Sequence, residues 1–319
     1  MDVLRTPDER FDNLPDYPYA PNYVVVETPR VPPVRMHYVD AGPADGPVVL
    51  LVHGQPTWSF MYRNVIRVLA DAGLRVIAPD HIGFGRSDKL AEATAYTVRR
   101  HIDWLQGLVD GLDLRDVTLV AEDWGGPIGL GVLAREPDRF ARVVVTNTAM
   151  YAFDPAEVGK LVWAHYSVGE ERVTLQETLL DYVTFFQRAP DINPSLFLDA
   201  EAGPLDADVR AAYDAPYPDR RYKAGFRQLT LLIPLTPNDP CVAINRETMA
   251  ALRRWERPFL TAYSEGDPAT RGWEKYLQEV VPGAKGQPHT IVTGAKHFVV
   301  EEKGEELTAV IAGFVGGTP

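Results

Sequence analysis

Residues Leu119 to Gly126 read Leu-Val-Ala-Glu-Asp-Trp-Gly-Gly. An apolar run that stops on Asp123 and passes at once into small residues describes a buried strand turning sharply into a helix. Ala121, Gly125 and Gly126 leave room for strained backbone and close helix approach, so the frame predicts an elbow that pushes the central side chain into a pocket. The side chain presented there is a carboxylate. A carboxylate that attacks saturated carbon displaces a leaving group and becomes an ester, which water can hydrolyse at its carbonyl. A hydroxyl at the same point would attack an acyl carbon instead. Asp is also a favoured helix N-cap and Gly-Gly marks many turns, so the octapeptide alone admits a purely capping role.

Composition narrows the classes of partner. At 319 residues the chain can bury a large core, as one domain or as a domain carrying an insertion. Hydrophobic residues at 45% and charged residues at 24% match ordinary globular usage. A net charge of -12 repels nucleic acid and anionic membrane surfaces, so neither is expected as a partner. Cys241 is the single cysteine, with no His/Cys cluster beside it, and reads as a small buried filler; no metal and no cofactor is expected. Residues 1–20 are polar and acidic, without the basic and apolar blocks of a signal peptide, and no apolar stretch reaches the roughly 18 residues that span a bilayer. A cytoplasmic monomer is the expectation.

Tyr23 to Glu27 and Val34 to Val39 read as opening strands, both expected as edge hairpins. Pro47 to Val52 is a continuous apolar run suited to a strand buried on both faces of a parallel sheet, and it ends at His53-Gly54-Gln55-Pro56. Helical spacing over Ser59 to Ala72 leads to the buried strand Leu74 to Ala78 and a Gly-rich loop from Pro79 to Asp88. A helix from about Thr97 to Leu112 then precedes the strand Val117 to Ala121 that delivers Asp123. The helix Pro127 to Arg135 and the strand Ala141 to Asn147 repeat the unit. Such alternation predicts a doubly wound parallel sheet. After Met150 the pattern breaks into an aromatic-rich, proline-interrupted and mainly helical stretch with no convincing buried strand. The sheet pattern resumes at Phe259 to Ser264, followed by a helix from Gly272 to Val281, the strand Thr290 to Thr293 and a helix from Glu305 to Phe314. The predicted organisation is a core of 1–150 and 227–319 with a helical cap, 151–226, inserted between its halves.

Asp267 follows the strand Phe259 to Ser264, and His297 follows the strand Thr290 to Thr293, so both fall at the carboxyl edge of the sheet beside Asp123. The chain order nucleophile, acid, histidine suits this architecture. Singly, each residue has a plain explanation, Asp267 as a turn residue and His297 as a surface histidine. Jointly they predict a catalytic triad. The backbone N–H groups of Gln55 and Trp124 are the donors expected to face a tetrahedral intermediate, and His53 is expected to hold its loop.

The segments His53-Gly54-Gln55-Pro56-Thr57-Trp58-Ser59-Phe60, Pro79-Asp80-His81-Ile82-Gly83-Phe84-Gly85-Arg86-Ser87-Asp88-Lys89 and Asp123-Trp124-Gly125-Gly126-Pro127 resemble those of haloalkane dehalogenases. The likeness extends to Ala215-Pro216-Tyr217-Pro218-Asp219 and Lys296-His297-Phe298-Val299. It implies the α/β-hydrolase fold, a mostly parallel eight-stranded sheet flanked by helices with an inserted helical cap. The resemblance is to the subfamily whose triad acid precedes the histidine strand, matching Asp267. The other arrangement would place an acid after Ala141 to Asn147, where this chain reads Asn147-Thr148-Ala149-Met150. In that subfamily two tryptophans hold the halide, and the matching residues are Trp124 and Trp163. An indole N–H donates without accepting, which suits solvation of a departing halide in an apolar pocket. Its walls are expected from Phe153, Phe185, Phe186 or Leu161.

The implied partners are a small apolar halogenated substrate and water, with halide as product. The alternative is an epoxide hydrolase, which shares the aspartate nucleophile but needs cap tyrosines, here Tyr151, Tyr166, Tyr182 or Tyr213. Gln55 and Glu122 depart from its pattern. A third reading is a binding protein that keeps the fold without activity. Gln55 and His81 also depart from many dehalogenases.

Overall fold

The apolar runs become the strands of one sheet. The computed structural model describes residues 1–153 and 191–316, with 166–168, 173–175, 183, 186, 188 and 189 between them. The strands are β1 (Asn22–Val26), β2 (Val34–Ala41), β3 (Val48–Val52), β4 (Arg75–Pro79), β5 (Val117–Glu122), β6 (Phe140–Thr146), β7 (Phe259–Ser264) and β8 (Thr290–Val292). They form an eight-stranded sheet in the order β8-β7-β6-β5-β3-β4-β2-β1. From β4 to β8 the pairing is parallel, with Leu50 beside Leu119 and Leu119 beside Val143. The strand β2 runs antiparallel to both of its neighbours, β1 and β4. It is therefore not the edge strand expected from sequence. Alternation of apolar and polar residues reports which face is covered, and it is silent on whether both ladders are paired.

Helices cover both faces. In chain order they are α1 (Arg63–Asp71), α2 (Val98–Gly111), α3 (Gly125–Arg135), α4 (Pro194–Ala202), α5 (Ala207–Asp214), α6 (Ala224–Leu231), α7 (Pro240–Leu252), α8 (Trp273–Val280), α9 (Val299–Glu302) and α10 (Gly304–Gly316). Successive strand residues point to opposite faces. Leu50, Val52, Leu119 and Ala121 join the core under α2, α3 and α7, while Val49, Leu51 and Val120 join that under α1 and α10. The Thr97 hydroxyl caps α2 by accepting the Arg100 N–H at 3.2 Å. The sequence pattern did not delimit α7, and the boundary expected at 226 falls inside α6. A short antiparallel pair, Tyr166–Val168 with Val173–Leu175, stands where no convincing strand was read. Its β-branched runs are too brief to register against the surrounding helical pattern. Among the described residues no helix is long and apolar enough to cross a membrane.

Two buried polar clusters tie loops to this frame. The Asp80 carboxylate accepts the backbone N–H of Ser59 at 2.8 Å and of Arg86 at 2.7 Å, and its Oδ2 lies 2.7 Å from His37 Nδ1. With its acceptor capacity filled, it stays charged although buried: burial works against the anion, but His37 and the donated hydrogen bonds hold its pKa well below the usual range. In the second cluster Arg63 meets Glu301 through two hydrogen bonds of 2.8 and 2.6 Å, and the Tyr213 hydroxyl donates to the same carboxylate at 2.6 Å. This joins α1, α5 and the α9 segment that follows His297. Because the pair is buried, removing one partner strands the other, and Glu301→Ala is expected to destabilise the protein by about 3–5 kcal/mol in urea denaturation.

Glu122, the last residue of β5, has the opposite character. It is fully buried and neither carboxyl oxygen has a hydrogen-bond partner among the described residues. Burial, reinforced by the neighbouring Asp123 charge, pushes its pKa well above the ordinary carboxyl value. The folded state thus keeps a proton that the unfolded chain releases, and stability falls as pH climbs through and beyond the ordinary Glu range. Glu122→Gln removes that titration. Its Tm advantage over the parent is expected to be smallest near pH ~4 and to widen as pH rises; a constant difference across the range contradicts the burial of a neutral carboxyl here.

Candidate active site

The strand β5 is central and completely buried, so its last residues are held by sheet pairing on both sides. The chain turns from it into α3 through Asp123, whose φ of 48° lies in the left-handed region. That conformation is costly for a residue with a side chain, and it aims the carboxylate out of the sheet edge. Asp123 N–H donates to the Asn147 carbonyl at 3.1 Å, and the Thr148 hydroxyl donates to the Asp123 carbonyl at 2.6 Å. A Cβ at Gly54 would collide with the Asp123 side chain, and one at Gly125 with the Val52 carbonyl. Asp123 is therefore no helix N-cap in this structure. Trp124 precedes α3, and no side-chain cap is made there.

The three candidate triad residues converge. His297 Nε2 lies 3.3 Å from Asp123 Oδ2, and His297 Nδ1 lies 3.1 Å from Asp267 Oδ2. Asp267 is buried; it accepts the Ala269 N–H at 2.8 Å and the Thr270 hydroxyl. Burial opposes its charge, but His297 and these donors leave its pKa below the usual value. On His297 burial likewise opposes the charge, and the two flanking carboxylates, Asp267 first, outweigh it and raise the pKa well above the ordinary imidazole value. The backbone N–H of Gln55 donates to Asp123 Oδ1 at 2.7 Å. The ring of His53 accepts the His81 N–H at 3.0 Å while its Nδ1 donates to the Gly54 carbonyl at 2.7 Å. It braces the turn, as expected. His81 reciprocates by donating from Nε2 to the His53 carbonyl at 2.8 Å, which accounts for a polar ring at this buried place.

A cavity of about 400 Å³ opens onto this group, lined by Asp123, Trp124 and His297 together with apolar residues that include Val98, Leu232 and Ile233. The Trp124 indole N–H has no hydrogen-bond partner among the described residues. Trp163, Leu161, Phe185 and Tyr182 lie outside the described residues, as does the side chain of Tyr166. Phe153 and Phe186, expected as walls, are buried but do not line the cavity, and Phe197 does. Phe186 instead packs edge-on against Phe197, with ring centroids 5.5 Å apart. Tyr213 is spent on Glu301, and the Tyr151 hydroxyl, at the cavity, donates to the Ala269 carbonyl at 3.3 Å. Cys241 also lines the cavity; burial and Asp239 push its thiol up to about 11, a filler rather than a nucleophile. No group of three or more His, Cys, Asp or Glu side chains suited to a metal ion occurs among the described residues.

Sequence patterns missed the clamp on the histidine loop. Asn147, with φ of 38°, accepts the Ser264 N–H at 2.8 Å and donates to the carbonyls of Lys296 and His297 at 2.9 and 2.7 Å. It ties the ends of β6 and β7 to the residue that bears the imidazole. A polar residue at the carboxyl end of a buried strand was the available signal.

Residues 47–302 match the family described as having the alpha/beta hydrolase fold. The chain is 42% identical over 320 aligned residues to a haloalkane dehalogenase of Psychrobacter cryohalolentis, covering 100% of both chains. It is 44% identical to haloalkane dehalogenase 1 of Mycobacterium tuberculosis H37Rv, with 96% of each covered. Among solved structures, the tetrameric haloalkane dehalogenase DpaA from Paraglaciecola agarilytica superposes with a TM-score of 0.83 at 33% identity, over 97% of each chain. With a carboxylate on its elbow and full-length kinship to these enzymes, the chain belongs to the haloalkane dehalogenases of the α/β-hydrolase fold family.

Proposed function

We propose that this chain hydrolyses haloalkanes to alcohol and halide through an ester formed on Asp123. The observation that carries the reading is a strained, cavity-facing carboxylate with an imidazole 3.3 Å away. In the first stage an Asp123 oxygen attacks the halogen-bearing carbon in line, and the carbon–halogen electron pair leaves with the halide. The indole N–H of Trp124, together with that of Trp163, solvates the anion as it departs. In the second stage His297 takes a proton from water, and the oxygen adds to the ester carbonyl. The oxyanion that develops faces the N–H groups of Gln55 and Trp124, and its collapse breaks the ester C–O bond, the departing alkoxide taking the proton from His297 to leave as alcohol. Asp267 orients the imidazole and balances its charge. Esterification neutralises Asp123 and so removes one of the two charges that hold His297 protonated. The imidazole gives up its proton more readily and is then available as the base at the stage that needs one.

The division into a hydrolase core and an inserted cap beginning after 150 rests on the return of sheet strands at Phe259, while the boundary expected at 226 would cut α6. The involvement of Tyr213 with Glu301 weighs against the epoxide-hydrolase alternative.

Incubation with a bromoalkane should release bromide and acid, whereas an epoxide should yield no diol. His297→Phe is expected to release bromide once per site and then stop, with an alkyl adduct on the peptide that holds Asp123. In a single turnover in isotopically heavy water the label should enter Asp123; label in the alcohol overturns the covalent route. Asp267→Asn should slow ester hydrolysis by about 10²–10⁴-fold. Since Asp267 raises the His297 pKa, its loss should also move the alkaline rise of the residual hydrolysis rate to lower pH.

A further inference from the structure

Apart from the proposed triad, the polar side chains around the cavity are mostly engaged within the protein. Asn245 donates to the Tyr151 carbonyl at 2.9 Å, Thr270 to Asp267, and Cys241 to the Leu232 carbonyl at 3.3 Å. Glu201 on α4 differs. It lines the cavity, is half-buried, and has neither a hydrogen-bond nor an ion-pair partner among the described residues.

Its place in the helix makes the carboxylate harder to explain by stability. Glu201 occupies the last turn of α4, which ends at Ala202, where the unpaired carbonyls favour cations and disfavour anions. The other late acid of that helix, Asp199, is used structurally: it pairs with Arg210 at 2.5 Å and accepts the Leu205 N–H at 2.9 Å. Phe197, one turn before Glu201, also lines the cavity, and its ring packs against that of Phe298, beside His297, at 6.0 Å. Residues four apart share a helix face, so Glu201 lies about 6 Å along the axis from Phe197 on the face that lines the cavity. The cavity lining thus holds, besides the reacting groups, an unpaired carboxylate one helical turn from Phe197, together with the apolar side chains of Val98, Leu232 and Ile233.

We propose that Glu201 is a specificity-determining residue of this cavity: it accepts a hydrogen bond from the far end of haloalkanes that end in a hydroxyl or ammonium group, and disfavours those that end in a carboxylate. The inference deepens the dehalogenase reading and rests on it for the identity of the substrate's reacting end. With no donor among the described residues, this half-buried carboxylate can accept from a donor-bearing ligand and repels an anionic one.

Binding and turnover separate the two ideas. Calorimetric titration of the intact protein with an alkylammonium, an alkanol and an alkanoate of equal carbon count needs no reaction. The alkylammonium and the alkanol are expected to bind about tenfold better relative to the alkanoate in the parent than in Glu201→Gln, a charged acceptor being worth roughly that factor. The same relative change should appear in kcat/KM for the matching ω-bromo compounds. Glu201→Gln retains the size and helix preference of the parent residue, and Glu201→Leu, which cannot accept at all, should move the ratios at least as far. Ratios unchanged in both variants, or all ligands weakened equally, overturn the proposal. Bromide release from the unsubstituted bromoalkane by the parent protein reports separately on the dehalogenase reading. If that release fails while the binding ratios shift, the assignment of the reaction falls and Glu201 stands as the determinant of what the cavity binds.

Discussion

The site depends on one costly piece of backbone. Asp123 adopts a left-handed conformation at the end of a completely buried strand, a placement worth roughly 1–3 kcal/mol of strain for a residue with a side chain. It is tolerated because its surroundings over-determine it. The ladders to β3 and β6 fix the strand, Asn147 and Thr148 occupy the elbow's N–H and carbonyl, and Gly54 and Gly125 remove the atoms that would otherwise fill the space. Relaxing the elbow would swing the carboxylate back toward the sheet and away from both His297 and the Gln55 N–H.

Electrostatics around that carboxylate are arranged in opposed pairs. His297 lies between two acids and is driven toward its charged form, while Glu122, next to Asp123 in sequence, is driven toward its neutral form by burial. A third ionised carboxyl beside Asp123 would further raise the imidazole's affinity for its proton. Keeping Glu122 uncharged leaves His297 answerable to Asp123 and Asp267, so the charge lost on esterification is felt by the imidazole at the moment a base is required.

Much of this was legible in order along the chain. The buried runs ending at Val52, Ala121 and Ser264 announced parallel strands, and strand ends announced where Asp123, Asp267 and His297 would lie, because a parallel sheet collects its carboxyl termini on one edge. Patterns failed where structure depends on pairing rather than on burial. The alternation in Val34 to Val39 looked like an edge although β2 is paired on both sides, and α7 was not delimited, with apolar residues spread too broadly around it to make a clean stripe. Asn147 carried no periodic signal at all; its role exists only because β6, β7 and the histidine loop end at the same place.

The sequence by itself determined the chemistry on offer: a carboxylate in an elbow frame, an acid and a histidine in the matching order, and an apolar composition able to bury the strands beneath them. Those are properties of residue type and spacing, which survive without coordinates. Only the tertiary structure decided the distances that let His297 address two carboxylates at once, the lack of a hydrogen-bond partner for Glu122 among the described residues, the involvement of Tyr213 with Glu301, and the unpaired Glu201 of α4 in the cavity lining. Each of these depends on residues far apart in the chain being brought within hydrogen-bond reach or kept out of it, and local pattern carries no record of that.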